Sequence, residues 1–322
     1  MNKALGLLRE DLAGVEELFR NGLMSEADMI SRVGGHILGS GGKRIRPVLL
    51  MLCARLVGYS GSRHIALASA VEFIHTATLL HDDVVDGAGL RRGTPSANSV
   101  WGNQAAILAG DFLFARAFSM LVADGNLRVL EELSCASTLM AEGEMLQLMD
   151  TGDIRMNEER YLEIIGKKTA ALFAATCRCG AILGGADAKT EAALHDFGMG
   201  VGLAFQLVDD ALDYVGEEAE FGKAPGHDLT EGKMTLPLIY SLGRCNEEEK
   251  KRMADIVAGK TLEAEDLAYA VALIRRSGGI DYSRRRADEL VLGAKDRLVL
   301  FDQSPEKDAL MELADYIVSR RS

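Results

Sequence analysis

Apolar residues along most of this chain recur at spacings of three and four, in segments rich in Ala, Leu, Met and Glu that only five prolines interrupt, at 47, 95, 225, 237 and 305. That period predicts helices. In HIALASAVEFIHTATLLHDDVVD (64–86), Ala68, Val71, Phe73, Ile74, Ala77, Thr78 and Leu80 leave hardly any polar face, as expected of a helix buried in the middle of a bundle. DFGMGVGLAFQLVDDALDY (196–214) has the same character, and no alternating pattern is long enough to support a sheet. The expected fold is all-α, with about ten or more helices. Breaks are expected near 89–95, 123–127, 150–157, 183–190, 216–228 and 275–281. None is long or simple enough for an interdomain linker, and no solenoid repeat is present, so a single domain over 1–322 is expected.

Charge narrows the function. A net charge of −12 argues against a nucleic-acid partner, because counterion release needs a broad cationic surface. No apolar run reaches the roughly 20 residues of a membrane span, and MNKALGLLREDLAGVEELF is too acidic and interrupted for a signal peptide, so a cytoplasmic protein is expected. Cys53, Cys135, Cys177, Cys179 and Cys245 form neither a paired framework nor a zinc pattern, and read as free thiols.

The apolar helices end in acid. Asp82, Asp83 and Asp86 stand at i, i+1 and i+4, so Asp82 and Asp86 share a helix face, Asp83 flanks it, and three carboxylates are expected to converge on one turn. Two such charges about 4 Å apart repel by roughly 4 kcal/mol at an effective dielectric near 20, so the cluster calls for a cation. Hard carboxylate oxygens suit Mg²⁺, whose shell is usually completed by water and substrate phosphate. One cluster alone reads more readily as a solvated helix face than as a metal site, but the spacing recurs in Asp209, Asp210 and Asp213, which reverses that weighting. Together the two could face each other across a cavity and hold metal on opposite sides of a diphosphate, favouring C–O cleavage and carbocation chemistry in an apolar interior.

The cations follow the same logic. Arg91 and Arg92 come just after Asp86, and guanidinium forks match phosphate oxygens. GSGGKRIRP offers Lys43, Arg44 and Arg46 before Pro47, which is expected to open a helix; the spacing is not that of a P-loop. Lys167, Lys168 and Thr169 sit in an Ala-rich helix, and Lys223 and Lys233 flank a glycine-containing stretch. Each admits a plain surface or packing reading. His75, two turns before Asp82, reads alone as a core histidine, and the His81–Asp82 pair suggests an HD-type phosphohydrolase, although His36, His64, His195 and His227 supply no matching ligand pattern.

GGKRIRP, HDDVVD followed by RRGTP, WGNQAAILAGDFL, GEMLQL, GKKTAALF, FQLVDDALDY and FGKAPGHDLTEGKMTLPL resemble, in order, the blocks of the trans-type (E-type) isoprenyl diphosphate synthases, most closely the long-chain polyprenyl (octaprenyl-like) members. The resemblance implies one all-α bundle around a deep central cavity, normally a homodimer, and a Mg²⁺-dependent prenyltransferase. It implies Asp82, Asp86 and Asp209 as principal ligands of a Mg²⁺ cluster, with Asp83, Asp210 and Asp213 in support. Arg91, Lys168, Thr169, Gln206, Lys223 and Lys233 would hold an allylic diphosphate such as farnesyl or geranyl diphosphate. Lys43, Arg46, His75 and Arg92 would hold isopentenyl diphosphate. Ser96, His227 and Met234 depart from the usual pattern without removing a charge from these sets.

In this family the residues four and five before the first aspartate help set product length. Here they are the small Thr78 and Ala77, about one helical turn from Asp82, which implies an open channel and a product of about 40 carbons (range about 30 to 50), suited to quinone side chains. Phe112, Phe114 and Phe118 are candidates for its floor. The alternatives are a shorter-chain synthase, a terpene cyclase or head-to-head enzyme, and a noncatalytic subunit of a heteromeric synthase. The intact isopentenyl set speaks against a cyclase, and six retained aspartates speak against a noncatalytic subunit. The product would pass to a membrane that the protein itself does not span.

Overall fold

A computed structural model describes residues 1–39, 42–215, 226–259 and 263–320, so Lys223 lies outside the described residues. By its contacts the chain divides into two units, Met1–Ser137 with Leu172–Gly198 and Arg297–Leu313, and Thr138–Ala171 with Met199–Asp296 and Ala314–Ser322. Both are helical, and the all-α expectation holds.

The first unit is built around α5 (Arg63–Val85), which packs on α2 (Arg9–Gly22), α4 (Ile45–Leu56) and α7 (Asn103–Asp124); α1 (Asn2–Leu7), α3 (Asp28–Gly39) and α6 (Ala97–Trp101) fill in around them. Leu67, Val71, Phe73, Ile74 and Ala77 of α5 are buried, as its continuous apolar pattern predicted. Phe73 stacks on Phe19 with ring centroids 4.3 Å apart. Gly110 lets α7 close on α5, since a Cβ there would lie 2.2 Å from His81 Nε2. Helix α4 begins at Ile45, two residues before Pro47, which falls in the first turn where its missing N–H costs no hydrogen bond.

The second unit has α8 (Leu127–Met149) from residue 138 onward, α9 (Glu158–Ile165), and α11 (Ala188–Leu212) from residue 199, with shorter helices after residue 226. Its core gathers Tyr214, Leu229, Met234, Leu238, Met253 and Ile274. Between α9 and α10 (Ala171–Leu183) the backbone widens into a π-helical turn, Gly166–Ala170. The expected breaks fall in the turns between these helices, apart from 216–225, which lies outside the described residues.

Two features differ from expectation. Residues 89–95 carry a small hairpin, with β1 (Leu90–Arg91) antiparallel to β2 (Thr94–Pro95) and Arg91 opposite Thr94. Its central residues, Arg92 and Gly93, both have positive φ, as a type I′ turn requires. Helix α7 is also long and apolar enough, by length and composition, to cross a membrane, which the sequence reading had not allowed for any segment; no other helix among the described residues is. The cysteines are free as expected, with Cys53, Cys177 and Cys179 buried.

Candidate active site

Helix α5 presents Glu72, His75, Thr76 and Asp83 along one stripe, at i, i+3, i+4 and i+11. They line a pocket in the first unit together with His36, Arg44, Arg91 and Arg92. Arg91 donates from Nε to both oxygens of Asp83 at 2.8 Å and from Nη2 to one of them at 2.7 Å, so the hairpin is pinned to α5. Asn98 Nδ2 donates to the Asp83 carbonyl at 3.0 Å. Burial, then the positive charges of Arg46, Arg92, Arg91 and Arg44, push the His75 imidazole well below the usual range, which leaves it neutral near pH 7. Arg46 is buried with its guanidinium 4.3 Å from the Phe173 ring centroid, and Lys43 is exposed on the turn before it.

Strain concentrates here. Among the described residues the non-glycine positions with positive φ are Arg44 (49°) and Arg92 (51°), and both line this pocket. An L-residue in that region costs about 1 to 2 kcal/mol, which the surroundings must offset.

Three carboxylates do not converge at the end of α5. Asp83 lies about 100° round the helix from Asp82 and about 60° from Asp86, and it is buried against Arg91, while Asp82 and Asp86, about 40° apart, are half-buried. Among the described residues no group of three His, Cys, Asp or Glu side chains forms a ready-made metal cage. One or two carboxylates with water and phosphate are the donor set Mg²⁺ ordinarily takes, and the half-buried Asp82 and Asp86 fit that chemistry.

In the second unit the π-helical turn carries Lys167, Lys168 and Thr169. A Cβ at Gly143 would fall 2.4 Å from the Lys168 nitrogen, so only glycine lets α8 lie against this turn. Lys168 Nζ pairs with Glu144 at 2.6 Å and donates to Gln147 at 2.5 Å. Thr169 Oγ1 donates to Gln206, Gln206 donates to Asp210 at 2.7 Å, and the buried Tyr161 hydroxyl donates to the other Asp210 oxygen at 2.5 Å. Burial, then the nearby Asp228 charge, raise Asp210 to about 8 and Asp213 to about 7. Asp213 accepts the backbone N–H groups of His227 and Asp228 at 3.2 and 3.0 Å, so it caps the short helix His227–Thr230. Lys233 Nζ pairs with Glu231 at 2.7 Å and His227 with the same carboxylate at 3.2 Å. Burial would raise Glu231, but these two partners outweigh it and hold the carboxyl at about 2. Asp209 receives Arg320 Nη2 at 2.9 Å, with the guanidinium 4.6 Å from the Phe205 ring centroid.

The sequence reading had not singled out Glu16, Glu72, Glu144, Tyr161, Asp228, Glu231 or Arg320. Of these, Glu144, Asp228 and Glu231 had a signal, as acids inside the blocks already quoted; the others lie far along the chain from the side chains they hold.

The family profile described as Polyprenyl synthetase matches residues 27–274. The chain belongs to that family. It is 41% identical over 323 residues to octaprenyl diphosphate synthase of Escherichia coli (strain K12), covering 99% of each chain. It is 36% identical over 327 residues to a short chain isoprenyl diphosphate synthase of Methanothermobacter thermautotrophicus, again covering 99% of each. The crystal structure of polyprenyl synthase from Caulobacter crescentus CB15, complexed with calcium and isoprenyl diphosphate, superposes with a TM-score of 0.97 at 43% identity, covering 100% of this chain and 98% of that one. This polyprenyl synthetase is therefore an enzyme, a trans-prenyltransferase of a metal-dependent family whose substrates are allylic and isopentenyl diphosphates.

Proposed function

We propose that this enzyme extends an allylic diphosphate by successive 1′-4 condensations with isopentenyl diphosphate, in the presence of Mg²⁺, to an all-trans polyprenyl diphosphate of about 40 carbons, range about 30 to 50, for quinone side chains. The observation that carries this reading is the first-unit pocket, where a neutral histidine shares the lining with Arg44, Arg91 and Arg92 and also feels the charge of Arg46: a surface charged for an anion.

Lys43, Arg46, His75 and Arg92 bind the isopentenyl diphosphate. Arg91, Lys168, Thr169, Gln206, Lys223 and Lys233 bind the allylic diphosphate. Asp82, Asp86 and Asp209 hold Mg²⁺, with Asp83, Asp210 and Asp213 supporting them. When bound, Mg²⁺ supplies Lewis-acid stabilisation of the charge that develops on the departing pyrophosphate. The apolar residues of α5 keep water from the allylic cation while the isopentenyl double bond attacks it, and the departing pyrophosphate takes the proton released.

We also propose one domain over 1–322, since the unit boundaries at 137–138 and 198–199 fall inside continuous helices, α8 and α11. A homodimer is supported by the exposed Ile107, Leu108 and Val122 on α7, an apolar surface of the kind that marks an interface. A cytoplasmic enzyme that passes its product to a membrane fits charged, water-soluble substrates and a long alkyl product.

Incubation with farnesyl diphosphate, labelled isopentenyl diphosphate and Mg²⁺ should give extractable prenyl alcohols after dephosphorylation, and their size measures the product. Absence of Mg²⁺-dependent incorporation would overturn the proposal; products ending at about 15 or 20 carbons would support the shorter-chain alternative.

The raised Asp210 and Asp213 make a pH prediction. A cation needs them ionised, so binding displaces protons below about pH 8, and Mg²⁺ affinity in the presence of inorganic pyrophosphate should rise between pH 6.5 and 8.5, by up to about tenfold per pH unit for each proton released. Without metal the sign for stability is opposite. A carboxyl whose folded pKa is raised contributes stability below its unfolded value near 4 and loses it as pH climbs through about 7 to 8. Calorimetric titration and melting curves across this range test both, and a pH-independent affinity would count against a role for these two carboxylates.

A further inference from the structure

The turn that leads into α4 holds one arginine that faces the pocket and is already engaged. Arg44 donates from Nε to Glu16 Oε1 and from Nη1 to Glu72 Oε1, both at 2.6 Å, with a longer contact from Nη2 to Glu16 Oε2 at 3.4 Å. Its guanidinium lies 5.7 Å from the centroid of Phe19. Glu16 comes from α2, Glu72 from α5, and Arg44 itself caps α4, so three helices meet in one ionic cluster. The Glu72 side chain is only 6% exposed, and a carboxylate there would repel an anionic ligand unless a cation offset it. The backbone is drawn in as well. A Cβ at Gly42 would come within 3.1 Å of Arg44 Nη1 and 3.2 Å of Arg92 Nη1, so residue 42 lies directly against both guanidinium groups. Arg44 also holds a left-handed φ of 49°, which an L-residue keeps only where its surroundings over-determine it.

We propose that Arg44 is a positioning residue and not a diphosphate ligand: Glu16 and Glu72 lock its side chain, the lock holds the left-handed turn, and the turn places Lys43 and Arg46 for isopentenyl diphosphate. This rests on the reading of the pocket as the isopentenyl diphosphate site. It divides the three cations of GGKRIRP into two that meet substrate and one that spends its hydrogen bonds on the protein.

The full-length enzyme with Arg44→Met should show a KM for isopentenyl diphosphate raised at least about tenfold, while kcat and the KM for farnesyl diphosphate stay within about twofold. Arg44→Lys, which keeps the charge but not the fork, should recover little of the loss. The double variant Arg44→Met/Glu72→Met removes the stranded carboxylate as well and should remain as impaired as the single one. A return of the double variant to the parental KM would overturn the proposal, because Arg44 would then only neutralise Glu72. An unchanged KM in Arg44→Met, or a parallel fall of kcat and melting temperature, would overturn it too. Should Arg44→Met not fold, Glu16→Gln, at a site 38% exposed, should raise the same KM about threefold with the melting temperature unchanged, and an unmoved KM there would overturn it. Failure of the parental enzyme to incorporate isopentenyl diphosphate at all would instead sink the functional reading itself.

Discussion

Asp82→Ala and Asp86→Ala, each made alone, are expected to lower kcat by about 10³-fold or more while leaving the melting temperature nearly unchanged. Both side chains are half-buried, about 100° (Asp82) and 60° (Asp86) round the helix from Asp83, whose own carboxylate is buried against Arg91, so neither substitution removes a fully buried group. What each removes is a hard oxygen donor to Mg²⁺, and Lewis-acid stabilisation of a leaving group is worth several kcal/mol, each 1.36 kcal/mol being tenfold in rate. Asp83→Ala should behave differently. Its side chain is 4% exposed and takes three short contacts from Arg91, so its loss should destabilise the fold by about 1 to 3 kcal/mol, discounted for the partial exposure of Arg91, and should release the hairpin that carries Arg92. The isopentenyl diphosphate KM should then rise more than kcat falls. Steady-state kinetics with melting curves on the three variants separate these outcomes. Three equal losses of kcat would mean that Asp83 acts as a metal ligand on a par with its neighbours.

The contrast among these three aspartates marks how far the sequence could be read. Period and composition located α5, α7 and α11 and the turns between them, because a helix repeats its signal over many residues. The hairpin at 90–95 was invisible, since strands of two residues carry no alternation, and the π-helical turn at Gly166–Ala170 differs from its neighbours by hydrogen-bond register alone. The aspartates and cations were found by their spacing. Their pairings were not. Arg44 reaches acids 28 residues away on either side, and Tyr161 reaches Asp210 across 49, so folding alone brings them together. Arg91 beside Asp83 was close enough in sequence to be foreseen, but spacing alone does not say which of the three aspartates it meets.

Replacing Thr78 by Phe is expected to shorten the product sharply, towards about 15 to 20 carbons, with little cost to the fold. At 100° per residue, Thr78 lies about 40° round α5 from Asp82 and one turn below it, on the same face, whereas Ala77 lies about 140° away. Thr78 is half-buried and its hydroxyl folds back to the His75 carbonyl at 2.8 Å, while Ala77 is fully buried. A phenyl ring at 78 therefore projects along the metal-binding face, about 6 Å from the first aspartate, where a growing chain would descend. The same ring at 77 should also shorten the product, but it enters a packed interior and should lower stability by about 1 to 3 kcal/mol. Sizing the alcohols from both variants, with melting curves alongside, measures which residue faces the chain. Truncation at 78 with an intact fold supports an open channel along this face. An unchanged product from Thr78→Phe, beside a shortened one from Ala77→Phe, would move the channel to the other side of α5, and unchanged products from both would mean that the chain does not pass this helix turn.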